Sequence, residues 1–127
     1  MSFQPVTQNI LRMEVEFDVA GLTSISVNLW LIRSRDGWTL IDSGLPDTGD
    51  QVVAALSDAT QGSGPSQVLL THGHIDHAGG LQAIRMAWKT PVICHTAELP
   101  YVSGELDYRD APAKGLLFML ARYFFPS

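Results

Sequence analysis

Three of the four histidines of the chain lie close together in THGHIDHAGG, residues 71–80. They are His72, His74 and His77, and Asp76 lies among them. Neutral imidazole nitrogens and carboxylate oxygens are the usual protein ligands of divalent Zn, Mn and Fe ions. The segment therefore indicates a site for one or two such ions.

The spacing of these residues allows them to point in more than one direction. His72 and His74 are two residues apart, so both rings can face the same side of an extended loop. Gly73 allows a sharp backbone turn between them, and Asp76 and His77 follow at the predicted start of a helix. A single histidine at a strand end is more often a hydrogen-bonded structural residue than a ligand. Three histidines with an aspartate at these offsets favour the metal site.

Strands are predicted before this segment. Residues 11–17 alternate apolar and polar side chains with a period of two, which indicates a strand with one buried face. Residues 25–42 hold two further apolar runs separated by Asp36-Gly37. Because both positions tolerate positive φ, this dipeptide predicts a hairpin turn.

From residue 48 onward, the pattern becomes one of helices alternating with strands. Residues 48–59 and 78–89 carry helical apolar stripes, and short apolar strands are expected at 67–71 and 91–95. Such alternation is typical of parallel pairing. The sequence predicts an α/β fold, in which a mixed sheet has antiparallel N-terminal strands followed by a parallel βαβαβ unit.

The ends of these strands carry the candidate functional residues. Asp42 ends the strand WTLID, His72 follows QVLLT, and His95 ends PVICH. In sheets of this kind, binding sites lie beyond the carboxyl ends of the parallel strands. All three residues are therefore expected along one edge of the sheet.

Gly79 and Gly80 at the start of the second helix allow two interpretations. Their backbone N–H groups could lie near negative charge at the site. Alternatively, the absence of side chains could allow close packing of the helix against the sheet. The sequence does not choose between them.

Composition limits the class of protein. The chain has 127 residues, of which 46% are hydrophobic and 17% charged, so one globular domain over residues 1–127 is expected. The net charge of −5, with Lys and Arg sparse, disfavours nucleic acid as a partner. No apolar stretch reaches the roughly 20 residues of a membrane span. The first residues lack the features of a signal peptide, and Cys94 has no partner for an internal disulfide, so a cytoplasmic location is expected.

Two motifs together resemble those of the metallo-β-lactamase fold superfamily. They are HGHIDH following a strand that ends in LLT, and LIDSG upstream of it. The resemblance covers approximately residues 13–108, and the segment PVICHTAELPYVSGE is loosely similar to small prokaryotic hydrolases and lactonases of the superfamily. It implies that the chain forms one half of an αβ/βα sandwich.

The resemblance also implies roles for individual residues. His72 and His74 match ligands of a first metal ion, and Asp76 and His77 match ligands of a second. Asp42 matches an acidic residue that supports the site from behind without binding metal.

The implied activity is metal-assisted hydrolysis of an ester, lactone, thioester or related bond in a small-molecule substrate. Zinc is the expected metal, with two ions in the complete parent and Mn or Fe as alternatives. Asp76 would orient the nucleophile and accept its proton. His95 matches no ligand of the family, so a supporting or structural role is expected for it, with metal contact as the minor alternative.

Complete members of the superfamily have a second half that supplies another histidine, a bridging aspartate and a final histidine. This chain has no histidine after His95, and Asp107 and Asp110 lie in a predicted solvated loop. The expectation is therefore a truncated N-terminal half whose metal site is empty or partly occupied, and which is inactive alone. The apolar tail at 115–127 is expected to form an interface, either in a homo-oligomer or with the missing C-terminal half.

Three interpretations remain. The parent protein is a metal-dependent hydrolase, or the chain is a non-catalytic metal-binding or assembly module, or it is similar to mononuclear iron sulfur dioxygenases of the same superfamily. The hydrolase is the preferred prediction.

Overall fold

The computed structural model describes residues 1–71 and 79–102, in which a six-stranded sheet packs against two α-helices. A third, four-residue helix ends this part of the chain, and short 3₁₀ turns precede the first and third helices. The elements are β1 Gln4–Thr7, β2 Ile10–Val19, β3 Thr23–Ser34, β4 Gly37–Ile41, α1 Gly49–Ala59, β5 Gln67–Leu69, α2 Leu81–Trp88, β6 Val92–Ile93 and α3 Leu99–Val102.

The spatial order of the strands is the same as their order in the chain, from β1 to β6. The first four strands are antiparallel to their neighbours, whereas β4 pairs with β5, and β5 with β6, in parallel. The helices α1 and α2 are the two crossovers of the parallel part. The predicted mixed sheet with a parallel βαβαβ unit is confirmed.

One strand was not predicted from the sequence. β1 pairs with β2 at the edge of the sheet, and all four of its residues are exposed. It contains Pro5, which cannot donate to a strand ladder and is tolerated at an edge. The strand has no buried face and therefore no apolar alternation that would reveal it.

The hairpin between β3 and β4 is confirmed, but its turn lies one residue earlier than predicted. Ser34 pairs with Gly37, so the turn consists of residues 35–36, and Gly37 is the first residue of β4. Gly37 has a φ of +115°, and a Cβ there would overlap with the Ser66 side chain. The glycine therefore serves a close tertiary approach as well as the backbone bend.

One face of the sheet is covered by α1 and α2. Leu31, Leu40 and Val68 are paired across β3, β4 and β5, and all three are fully buried. Leu56 of α1 and Ile84 of α2 are fully buried in the same core. Burial of each such side chain contributes about 1.5–3 kcal/mol. The helical stripes predicted from the sequence are confirmed.

The opposite face of the sheet carries a second apolar row. Trp30, Ile41, Leu69 and Ile93 are paired in register from β3 to β6. Leu69 and Ile93 are 37% and 45% exposed, and the other two are half-buried. A parallel sheet with apolar residues on both faces is typical of an inner layer. Within the described ranges, helices cover one of its faces.

Some predictions fall outside the described residues. The apolar tail at 115–127 is one of them, and the single domain over 1–127 also stays a prediction. No helix in the described part of the chain is long and apolar enough to cross a membrane.

Candidate metal centre

Asp42, which directly follows β4, is buried in an unusual backbone conformation. It is 4% exposed and has a φ of +63°, in the left-handed region that few residues other than glycine adopt. Its backbone N–H donates to the carbonyl of Leu69 at 2.9 Å. Since Leu69 ends β5, this bond extends the β4–β5 pairing beyond the last residue of β4 and holds the Asp42 backbone in place.

The Asp42 carboxylate binds Thr71, the residue before His72. The Thr71 backbone N–H donates to Oδ1 at 2.9 Å. The Thr71 hydroxyl lies 3.0 Å from Oδ1 and 2.9 Å from Oδ2, so its single proton can be shared between them. Hydrogen bonds to a charged acceptor are stronger than neutral ones. Asp42 therefore fixes the backbone immediately before residues 72–78, which we call the histidine segment.

The other end of the histidine segment is held by the residues that follow Asp42. The Gly79 backbone N–H donates to the Gly44 carbonyl at 2.8 Å. At Gly80, a Cβ would overlap with the backbone carbonyl of Ser43, which is fully buried. Of the two interpretations of these glycines, the geometry favours close packing, because the Gly79 N–H is bonded within the protein.

We name residues 42–44 the support loop, since it contacts the chain on both sides of residues 72–78. The predicted ligands His72, His74, Asp76 and His77 lie in that interval, outside the described residues. Their assignment therefore stays a prediction. What the described residues provide is a frame at the carboxyl ends of β4 and β5, which is the predicted position of the site.

His95 follows β6 at the same edge of the sheet, as predicted from its place in the sequence. It is exposed, and its Nδ1 accepts a hydrogen bond from the Ala97 backbone N–H at 3.0 Å. The ring thereby caps the 3₁₀ turn Thr96–Glu98, and the Nδ1 lone pair is used in that bond. This is a structural role. The minor prediction of metal contact stays untested.

Two contributors to the frame were missed in the sequence. Thr71 belongs to the THGHIDH segment, but a hydroxyl is not among the usual ligands of zinc. Gly44 contributes a backbone carbonyl. A signal for Thr71 is its position next to a candidate ligand, at the end of a predicted parallel strand. No local pattern indicates the bond between Gly44 and Gly79.

Comparison with known proteins identifies the class. The family model of the metallo-beta-lactamase superfamily matches residues 22–127. The chain is 33% identical to the probable metallo-hydrolase YybB of Bacillus subtilis (strain 168), over 85% of this chain and 47% of that protein. It is 34% identical to the probable metallo-hydrolase YflN of the same organism, over 96% and 50%. The chain belongs to the metallo-beta-lactamase superfamily. It spans about half the length of these two relatives.

Solved structures show the same fold. A metallo-beta-lactamase from Pontibacter korlensis matches with a TM-score of 0.70 at 15% identity, over 81% of this chain and 47% of that one. The mono-zinc form of the metallo-beta-lactamase FIM-1 from Pseudomonas aeruginosa matches with a TM-score of 0.68 at 18% identity, over 89% and 48%. The predicted half of an αβ/βα sandwich is confirmed as the architecture.

Proposed function

We propose that this chain forms the metal-binding half of a hydrolase that cleaves an ester, lactone, thioester or related bond in a small molecule. The observation that carries the proposal is the support loop, which holds Thr71 and Gly79 on either side of HGHIDH. Relatives support the reaction class. Besides the two probable metallo-hydrolases, the chain is 35% identical to a hydroxyacylglutathione hydrolase of Anaeromyxobacter dehalogenans (strain 2CP-C), over 58% of this chain and 31% of that protein.

The residue types present suit the metal. Three imidazoles and one carboxylate are a donor set for zinc, and also for Mn or Fe. Bound divalent ions in such sites lower the pKa of water and polarise the bond to be cleaved. In our proposal, His72 and His74 hold a first ion, and Asp76 and His77 hold a second.

Two protein carboxylates have further roles in the proposed hydrolysis. The Asp76 carboxylate orients the attacking water and accepts its proton, which is a role that requires hydrogen-bond reach. Asp42 acts from behind by fixing the backbone before His72. Supporting residues of this kind typically change metal affinity 10–100-fold when they are removed.

The site as proposed needs further ligands. Zinc sites normally use at least three protein ligands per ion, and His72 with His74 supplies two. We therefore propose that the isolated chain is a poor hydrolase or none, with a metal site that is empty or partly occupied. The additional ligands would come from a C-terminal half or from a second copy of the chain. The apolar sheet face formed by Trp30, Ile41, Leu69 and Ile93, which no described helix covers, offers a surface for either.

The test is metal analysis of the purified chain, combined with hydrolysis assays on esters, lactones and thioesters. The variant His72→Ala/His74→Ala should lose the first ion, whereas His95→Ala should retain the wild-type metal content. Equal metal content in the double variant and the wild type would refute the ligand assignment. A monomer that holds two tightly bound ions and turns over substrate would refute the half-site.

Other results would favour the two alternatives. Metal binding without hydrolysis, both in this chain and in a longer form of the protein, would indicate a binding or assembly module. Iron with oxygen uptake on a sulfur substrate would indicate the dioxygenase.

A further inference from the structure

The side chain of Thr71 forms hydrogen bonds to Asp42 although it is not packed in the core. Thr71 is exposed, whereas Leu70 before it is 3% exposed. Its hydroxyl nevertheless lies within hydrogen-bond distance of both carboxylate oxygens of Asp42. The contribution of this residue is therefore its hydroxyl, since little apolar burial would be lost with the side chain.

The backbone and the side chain of Thr71 act on the same carboxylate. The backbone N–H forms one bond to the carboxylate, and the side-chain hydroxyl forms a second. The second bond, from the hydroxyl, closes a ring through the Thr71 side chain and so fixes its backbone and χ1 together. Because Cα is tetrahedral, fixing the N, Cβ and Oγ1 atoms of Thr71 also fixes the direction of its Cα–C bond, through which the chain continues.

The Asp42 side of the ring is held by contacts of its own. Asp42 is buried with a positive φ, and its N–H is bonded to Leu69 at the end of β5. The next two residues of the support loop hold Gly79 and Gly80 at the other end of the histidine segment. A change at Thr71 therefore alters one anchor, while the other anchor stays in place.

We propose that Thr71 is a positioning residue: its hydroxyl on Asp42 fixes the backbone of Thr71, from which the chain continues to His72, and thereby raises the affinity of the first metal ion. This inference rests on the proposed function, because it takes His72 as a ligand. It adds a residue that binds neither metal nor substrate.

The test compares Thr71→Val, which keeps the shape and removes the hydroxyl, with Thr71→Ser, which keeps the hydroxyl. Zinc affinity of the whole chain is measured by competition with a chelating dye. Thr71→Val should bind zinc at least about 10-fold more weakly than wild type. Thr71→Ser should recover most of that loss.

Thr39→Val is the matched control. The Thr39 hydroxyl accepts a hydrogen bond from Gln67 at 3.0 Å, joining the middle of β4 to the first residue of β5. Its removal should leave zinc affinity unchanged even where the free energy of unfolding falls. Equal losses of affinity in Thr39→Val and Thr71→Val would overturn the proposal, as would wild-type affinity in Thr71→Val.

A second measurement does not depend on metal. In metal-free protein, amide hydrogen exchange over residues 72–74 should be faster in Thr71→Val than in Thr71→Ser or in Thr39→Val. Unchanged exchange would refute the positioning role. A wild-type chain that takes up no zinc while exchange responds as expected would refute the effect of Thr71 on zinc affinity in this chain and leave the positioning of the backbone supported.

Discussion

Gly80→Ala should destabilise the protein although alanine suits the local backbone. Gly80 precedes α2 with a φ of −88° and a ψ of −2°, a conformation that alanine adopts without strain. Considered by itself, the lower entropy of the unfolded chain would stabilise the variant by about 0.4–1 kcal/mol. The Cβ would, however, overlap with the backbone carbonyl of Ser43, which is buried and cannot rotate away as a side chain could.

The loss of stability in Gly80→Ala can be estimated from the separation of α2 from the support loop that the added Cβ requires. Forcing an extra carbon into a packed contact costs about 1–3 kcal/mol. Separating α2 from the support loop also weakens the bond from Gly79 to Gly44, worth about 1 kcal/mol. After the entropy gain is subtracted, we expect a net loss of about 2 kcal/mol in the free energy of unfolding. Zinc affinity should fall as well, because the second anchor of the histidine segment is displaced.

Gly49→Ala is the matched control for this prediction. A Cβ at Gly49 would lie 3.0 Å from the Cβ of Ala83, so α1 and α2 would have to separate by only a few tenths of an ångström. Urea unfolding followed by tryptophan fluorescence should show a smaller loss for Gly49→Ala, and Ala83→Gly should relieve that loss in the double variant. A Gly80→Ala protein as stable as Gly49→Ala would refute the steric argument.

Three further positions test the support loop, the β3–β4 hairpin and the apolar sheet face that no described helix covers. Asp42→Ala should lower the free energy of unfolding by at least about 2 kcal/mol, because the Thr71 N–H loses a charged acceptor and alanine is strained at positive φ. Asp42→Asn keeps an acceptor and should lose less stability, which urea unfolding of the two variants will show. Gly37→Ala should cost about 1–3 kcal/mol in the same assay, because alanine is strained at a φ of +115°. The Ser66 hydroxyl would also have to rotate away, which breaks its hydrogen bond to the Asp36 carbonyl. Gly21→Ala, at a φ of +72° with no neighbouring atom within 4 Å, is the control in which backbone strain acts alone. If the sheet face with Leu69 and Ile93 forms an interface, Ile93→Glu should reduce association, measured as mass in solution by light scattering. Met86→Glu, at an exposed position on α2, is the control. Equal masses for wild type and Ile93→Glu would count against that surface.

Much of the fold was predictable because its signals are local. The alternation in β2 and the stripes of α1 and α2 record which side of each element is buried, and that side repeats at the period of the element itself. The histidine segment was found in the same way, as a group of metal-binding residue types only a few positions apart. The exposed edge strand β1 has no buried side, and so the sequence offered no comparable signal for it.

The supporting geometry was decided by tertiary structure. Asp42 meets Thr71 across 29 residues because the parallel register of β4 and β5 places their carboxyl ends side by side. The Gly80 contact with Ser43 likewise depends on where α2 packs against the support loop. Neither contact has a periodic or near-neighbour signature. Residue types determine which groups can bind a metal ion, but strand register and helix packing determine which distant groups hold them in place.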